Sequence, residues 1–511
     1  MSARWDEKNS RKIVKRLVVS SMLTLLTPAR FGGGEGRGMN QELTDMPLAR
    51  DPKDELPLLT GASIAGASRN YLRDYMLGYE EPEPANGSSR AQLLFGDVLE
   101  SVPDNQKESR ESWLIIDDAL AEKYQIETRP GVAIDPATRL ARVDPQSGRG
   151  FLYDMELLEA GTQFKLRFEL ALPDDPTIQG KLLEGLAVAL TGFEKGEIGL
   201  GARKRRGLGE CKVEDWQVEE YDLKTISGLI TWLEGSPGID KPLPADAEKK
   251  PNSRIAAQLG CQLPDDKRRR FTMDASFRLE SSLLIRSTSD EPDTPDMVHL
   301  KSRRKGVLRP ILSGTSLAGA MRGRALRIAN TRISDGEKAK KLVDDLFGPE
   351  KIESRPSRAE PWASRVVVRE REIQGEYERV QSRVKIDRFT GGSFPGALYE
   401  QQPVLGKTHS DTAVTLSVEL RNPAKEHIGL LLHLLKDLWS GDLPLGGEAS
   451  VGRGRLRGLQ ATLQFHSPSR PERGEWRILA TSGDGLDIQT LMGKRGHEPL
   501  DEWAKSVGGV K

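Results

Sequence analysis

The stretch Pro57-Leu-Leu-Thr-Gly-Ala-Ser-Ile-Ala-Gly-Ala-Ser-Arg69 returns about 250 residues later as Arg309-Pro-Ile-Leu-Ser-Gly-Thr-Ser-Leu-Ala-Gly-Ala-Met-Arg322. Both copies read G-[AT]-S-[IL]-A-G-A-x-R. Two glycines with hydroxyl and small residues between them, closed by arginine, describe a strand end that turns directly into a helix. The first glycine permits the turn, and Ser63 or Ser316 is placed to cap the helix that follows. Such a junction aims backbone N–H groups outward at a helix N-terminus, which suits an anion such as phosphate. A tight turn with no ligand is the plainer alternative.

Working outward, other landmarks recur in the same order. Leu94-Phe-Gly96 is answered by Leu346-Phe-Gly348, Val132 to Thr138 by Val384-Lys-Ile-Asp387-Arg-Phe-Thr390, and Leu152-Tyr-Asp154 by Leu398-Tyr-Glu400. Apolar spacing predicts helices over 181–193 and 424–440. The first leads into Gly199-Leu-Gly-Ala-Arg-Lys-Arg-Arg-Gly-Leu-Gly209, the second into Leu445-Gly-Gly-Glu-Ala-Ser-Val-Gly-Arg-Gly-Arg455. Strands are expected at 13–26 and, opening the second copy, at 277–285. The order implies a duplicated α+β unit. We divide the chain into a flexible arm at 1–12, a first domain at 13–234, a proline-rich linker at 235–270, a second domain at 271–466 and a polar tail at 467–511.

Charge narrows the function. The 76 Lys and Arg residues balance 76 Asp and Glu, so nucleic-acid binding would rest on local patches and not on a global field. The densest patches are Arg203-Lys-Arg-Arg206, Lys267-Arg-Arg-Arg270 and Arg303-Arg-Lys305, each of which is otherwise a solvated surface run. Cys211 and Cys261 are the chain's 2 cysteines, too few for a disulfide framework or a four-cysteine zinc site, and a reducing cytoplasm is the natural setting. The apolar run near Leu17 to Leu26 is too short for a membrane span.

Strand, small-residue helix, strands, helix and then a glycine loop mixed with arginine and lysine resembles the CRISPR-associated RAMP superfamily. The match is to tandem, fused backbone subunits of type III effector complexes, as in the type III-D variants. The resemblance implies two tandem ferredoxin-like, RRM-like domains with inserted loops and thumb-like β-hairpins. It also implies partners: a guide CRISPR RNA, a target RNA, and other backbone, small and large effector subunits, with no membrane.

Carried over residue by residue, the family's catalytic aspartate falls on Asp45 in Asp45-Met-Pro-Leu-Ala-Arg-Asp51. In the second half the place is Thr294-Pro-Asp296-Met-Val-His-Leu-Lys301, with Asp296 the assignment and Asp293 and Asp290 its rivals. RNA supplies its own nucleophile, the ribose 2′-OH, so one carboxylate that holds a hydrated Mg²⁺ (or Mn²⁺) transiently suffices, and Asp45 and Asp296 are the candidate metal ligands. Each could instead merely cap a turn. His299, three residues beyond Asp296, is a candidate acid or base or an exposed loop residue.

Candidate RNA-binding residues are Gly61, Ser63, Arg69, Arg203, Lys204, Arg205, Arg206, Gly314, Ser316, Arg322, Arg453 and Arg455. They would grip phosphates through backbone N–H and guanidinium groups. The arms carrying Ile134, Ile386 and Phe389 correspond to the family's thumb, with Phe389 either a wedge between bases or a core aromatic. Three functions follow: a guide-binding subunit that cuts target RNA, the same scaffold with one or both halves silent, or a stand-alone RNA-processing endonuclease.

Overall fold

A computed structural model describes residues 11–32, 46–85, 87–98, 109–132, 134–135, 141, 143, 152–243, 253–287, 294–349, 362–375, 377–406, 413–468, 473–481, 486–492 and 498–508. In the first half, β1 (Ile13–Leu25) sets Leu17, Val19, Leu23 and Leu25 into the core. Helices α1 (Gly61–Leu77) and α2 (Arg90–Phe95) follow, then β2 (Leu114–Ile116) and a hairpin of β3 (Ile126–Val132) and β4 (Leu152–Leu158). Next come β5 (Gln163–Pro173), α3 (Pro176–Glu194), β6 (Cys211–Val213), β7 (Gln217–Asp222) and α4 (Ile226–Leu233). Strand β1 lies between β5 and the β6–β7 pair, and β2 flanks β5, every contact antiparallel. That arrangement is the ferredoxin-like sheet.

The second half repeats it. Helix α5 (Arg254–Gln258) precedes β8 (Arg270–Leu279), β9 (Met297–His299), β10 (Lys301–Arg304), β11 (Val307–Leu312), α6 (Gly314–Arg332) and α7 (Gly336–Phe347). Then come β12 (Val366–Val368), a hairpin of β13 (Gln381–Ile386) and β14 (Ser393–Gln402), β15 (Ala413–Arg421), α8 (Lys425–Trp439) and β16 (Leu456–His466). Strand β8 pairs with β15 and β16, and β12 flanks β15, again antiparallel.

Several sequence expectations shift. The second sheet opens at Arg270 and not at Phe277, because Phe271, Met273, Ala275, Phe277 and Leu279 alternate into the core along β8. Much of the expected linker folds back on the first half: Ile255, Ala256 and Leu259 join its core, and the Tyr75 hydroxyl donates to the Pro264 carbonyl at 3.0 Å. The tail supplies β17 (Gly474–Ala480) and β18 (Leu486–Met492), which extend the sheet beyond β16, and α9 (Glu498–Ser506), whose Trp503 packs on Phe271, Phe465 and Trp476. Neither serine caps its helix. The Thr60 hydroxyl accepts from the Ser63 N–H at 3.2 Å, while Ser313 stands at the equivalent cap, so Ser63 and Ser316 sit inside the first turn.

The recurrent arginines have a shared structural task. Arg69 donates to the Gly96 carbonyl at 2.8 Å and pairs with Glu83 at 3.0 Å. Arg322 donates to the Gly348 carbonyl and pairs with Asp344 at 2.6 Å. Each thus ties the motif helix to the glycine that ends the next one, which explains why Leu-Phe-Gly recurs with the arginine. Arg69→Ala is expected to cost about 1–3 kcal/mol in denaturant unfolding, with Arg69→Lys a poor rescue because lysine lacks the fork geometry.

Candidate nucleic-acid interface

The glycine-rich loop of the first half does not end in solvent; it seats on the second half. An added Cβ at Gly207 would lie 2.3 Å from the Glu370 nitrogen, and one at Gly314 would lie 2.4 Å from the Arg206 carbonyl oxygen. Both positions therefore admit only glycine. Gly207 also holds φ +84°, and Arg203 itself sits at φ 55°. The loop's cations are thereby held between the start of α1 and the start of α6.

Those cations are poorly compensated. Burial and neighbouring positive charge push Lys204, Arg205 and Arg206 below their ordinary values, and Arg30 likewise through burial and Arg203. Arg203 hydrogen-bonds the Tyr153 hydroxyl at 2.6 Å and lies 4.9 Å over its ring, and Arg205 donates to the Ser364 carbonyl. Among the described residues Lys204 and Arg206 meet no carboxylate. Arg30 and Lys204 line a pocket of about 330 Å³ with Thr60, Ser63, Gly66 and Ala202. Arg30 escaped the sequence reading; its position just before the glycine cluster at 32–38 was the available signal.

The other basic runs differ. Arg268 pairs with Asp266 and Glu197 at 2.7 and 2.8 Å, and Arg304 pairs with Glu370. Burial alone would raise the Glu197 carboxyl, yet Arg268 and Arg270 outweigh it and hold it at about 2. Among the described residues the 203–206 run is the one of the three that makes no ion pair, and within it Lys204 and Arg206 are exposed.

The remaining site residues divide clearly. Arg69 and Arg322, expected as phosphate grips, spend their guanidinium groups on the fold as described above. Arg453, expected in the same role, is buried, pairing with Glu448 at 2.8 Å and donating to Gln381 and Gln401 at 2.9 and 3.0 Å. Arg455 is exposed. The Gly61 N–H, expected to face an anion, donates to the Asp118 carboxylate at 2.6 Å. In the second glycine loop Glu448, Ala449, Ser450 and Val451 occupy the places of Arg203 to Arg206, so the two loops share a backbone but not a charge.

Asp45, Asp290 and Asp293 lie outside the described residues. Asp296 is exposed, and its carboxylate accepts the Glu400 N–H at 2.8 Å, which ties it to the base of the β13–β14 hairpin. Among the described residues no three His, Cys, Asp or Glu side chains gather as a metal centre, and the Asp296 carboxylate is partly engaged. His299 is fully buried, its ring nitrogens facing the Leu283 and Ile311 carbonyls at 3.1 and 3.0 Å, which removes it as an exposed acid or base. Phe389 stands at the tip of the β13–β14 hairpin with 92% exposure, excluding the core reading, and Ile386 and Ile134 are exposed along the two arms.

Buried histidines give a pH signature. Burial lowers His299, His427, His433 and His466, so the unfolded chain takes up protons first as pH falls. Stability is therefore expected to be full above the ordinary imidazole value of about 6.5 and to drop below it. Melting temperatures at pH 7.5 and 5.5 check this, and equal values would refute it.

Each half is similar to known sequences. Residues 22–212 and 276–457 match the family described as the RAMP superfamily. A protein of Mycobacterium tuberculosis named CRISPR system Cms endoribonuclease Csm3 is 24% identical over 212 residues, covering 39% of this chain and 86% of that protein. No helix among the described residues is long and apolar enough to cross a membrane. The two matched segments overlap the two ferredoxin-like sheets and cover most of the sequence, and the chain belongs to the RAMP superfamily, carrying its domain twice.

Proposed function

We propose that this chain is a guide-RNA-binding backbone subunit of a type III CRISPR effector that cuts complementary target RNA. The observation that carries the reading is the basic cluster of Arg30 and Arg203 to Arg206, which makes no ion pair among the described residues and places Arg30 and Lys204 in one pocket with Thr60 and Ser63 at the start of α1. Such a local concentration of positive charge attracts a polyanion. The Mycobacterium tuberculosis relative, an endoribonuclease of a CRISPR system, supports the assignment. The joint between the halves also supplies a pattern for adjoining backbone subunits, since Val451 of the second loop is exposed where Arg206 of the first is docked.

Binding of labelled single-stranded RNA tests the grip. Lys204→Ala with Arg206→Ala is expected to weaken it about tenfold and to flatten the salt dependence by about 0.7 in log–log slope per lost contact. An unchanged slope would remove the cluster from the interface.

Cleavage is assigned to the loop of Asp45, where the chemistry is positioning: the RNA brings the 2′-OH and the protein holds it in line. Mg²⁺ or Mn²⁺ is the expected cofactor, entering with the RNA. Chelation is expected to stop cutting while guide binding persists. A second reading, with the second half catalytically silent, is favoured by the engaged carboxylate of Asp296 and by Glu448 to Val451 standing where the first loop carries Arg203 to Arg206.

A further inference from the structure

A second cationic site lies away from the glycine loops, between the outer faces of α6 and α8. It is a pocket of about 280 Å³ lined by Arg324, Arg327 and Arg332 from one helix and His433, Lys436 and Asp437 from the other. The arginine spacing places them along one helical face. Asp437 is the single carboxylate in the lining, held by Arg324 at 2.6 Å and Lys436 at 2.8 Å. Arg324 uses its Nε for that contact, and Arg332 uses its Nε on the Val507 carbonyl at 2.9 Å. Among the described residues the terminal nitrogens of both forks donate to no acceptor.

The first half treats the equivalent groove differently. Counting from the matched glycines, Tyr71 and Tyr75 stand where Arg324 and Ile328 stand. There the chain fills its own groove: Arg268 lies 4.8 and 5.2 Å over the two tyrosine rings and pairs with Asp266 and Glu197. One copy is closed by an internal ion cluster, while the other is open and cationic. Two arginine forks and a lysine in a pocket this small match the compact charge and several oxygens of phosphate better than an extended acidic peptide.

We infer that the α6–α8 pocket is a binding site for phosphate groups, supplied either by a free nucleoside polyphosphate or by an RNA backbone. It uses none of the residues of the loop interface, so each can fail separately. The test uses the full chain labelled at histidine, with pyrophosphate as probe and the His433 ring resonance as local readout, assigned with His433→Gln. Pyrophosphate is expected to shift His433 saturably and leave buried His299 unmoved. Arg324→Gln with Lys436→Ala is expected to weaken the response at least about tenfold; exposed Lys436→Glu alone serves if the double variant unfolds. Reversal of the shift by adenosine triphosphate points to a free nucleotide, and reversal by short single-stranded RNA points to the backbone. A His433 ring indifferent to pyrophosphate, or an equal response in the variants, overturns the inference.

Discussion

Asp45→Ala in an assembled, guide-loaded complex is expected to reduce target cleavage at least about a hundredfold while leaving guide and target binding unchanged. The size follows from the economy of the reaction: when RNA carries its own nucleophile, alignment is most of what a protein adds, and misplacement alone can cost two orders of magnitude. The split between cutting and binding is expected because the residues assigned to phosphate, Arg30 and 203–206, are other than the one assigned to cutting. Met46, the residue after Asp45, bridges to Met155 on the first-half hairpin, and its carbonyl accepts from Arg30 at 3.4 Å. The described end of this loop is thus anchored on both the arm and the cation pocket. Asp296→Ala is expected to have a smaller effect, since that carboxylate already serves the Glu400 N–H. Normal cutting at every position by Asp45→Ala would end the assignment, and strong loss with Asp296→Ala or Asp293→Ala would move it to the second half.

Glu370→Ala is expected to destabilise the joint between the halves by about 3–5 kcal/mol, the usual cost of stranding buried charge. The Glu370 side chain is 1% exposed and lies between Arg129 of the first-half hairpin, at 2.7 Å, and Arg304 of β10. Arg129 also pairs with Glu127 at 2.7 Å, and Ser302 donates to Glu127 at 3.1 Å. Removing Glu370 leaves two guanidinium groups in a dry joint with too few acceptors. Denaturant unfolding followed by tryptophan fluorescence reads the loss; a change below about 1 kcal/mol would mean that water reaches the joint. The triple variant Arg129→Met, Arg304→Met, Glu370→Leu is expected to recover most of the stability, because the penalty lies in unpaired charge and not in the absence of a salt bridge.

The duplicated architecture was legible because both copies need the same turn, the same small-residue helix and the same glycine loops. Recurrence then misled the choice of site. Arg69 and Arg322 recur because each ties the motif helix to the carbonyl of the glycine that ends the next helix, a requirement of the fold. The charged loop is where the copies part, with Arg203 to Arg206 against Glu448 to Val451, and this difference is the better guide to function. Arg453 looked like a surface cation because glycines flank it, but those glycines turn its side chain inward. His299 could not be placed from sequence, since the carbonyls that meet its ring come from Leu283 and Ile311, both distant in the chain. Which basic run stays unpaired likewise depended on contacts across the fold, such as Glu197 reaching Arg268.

The close fit of Gly314 against the Arg206 carbonyl has a metrical consequence. Because the halves meet through backbone atoms that leave no room for even a methyl group, the distance between the first glycine loop and the start of α6 is set by contact and not by the length of the connecting peptide. The spacing of the two halves is thus written in their packing, and a change in the length of the connecting peptide would leave it standing.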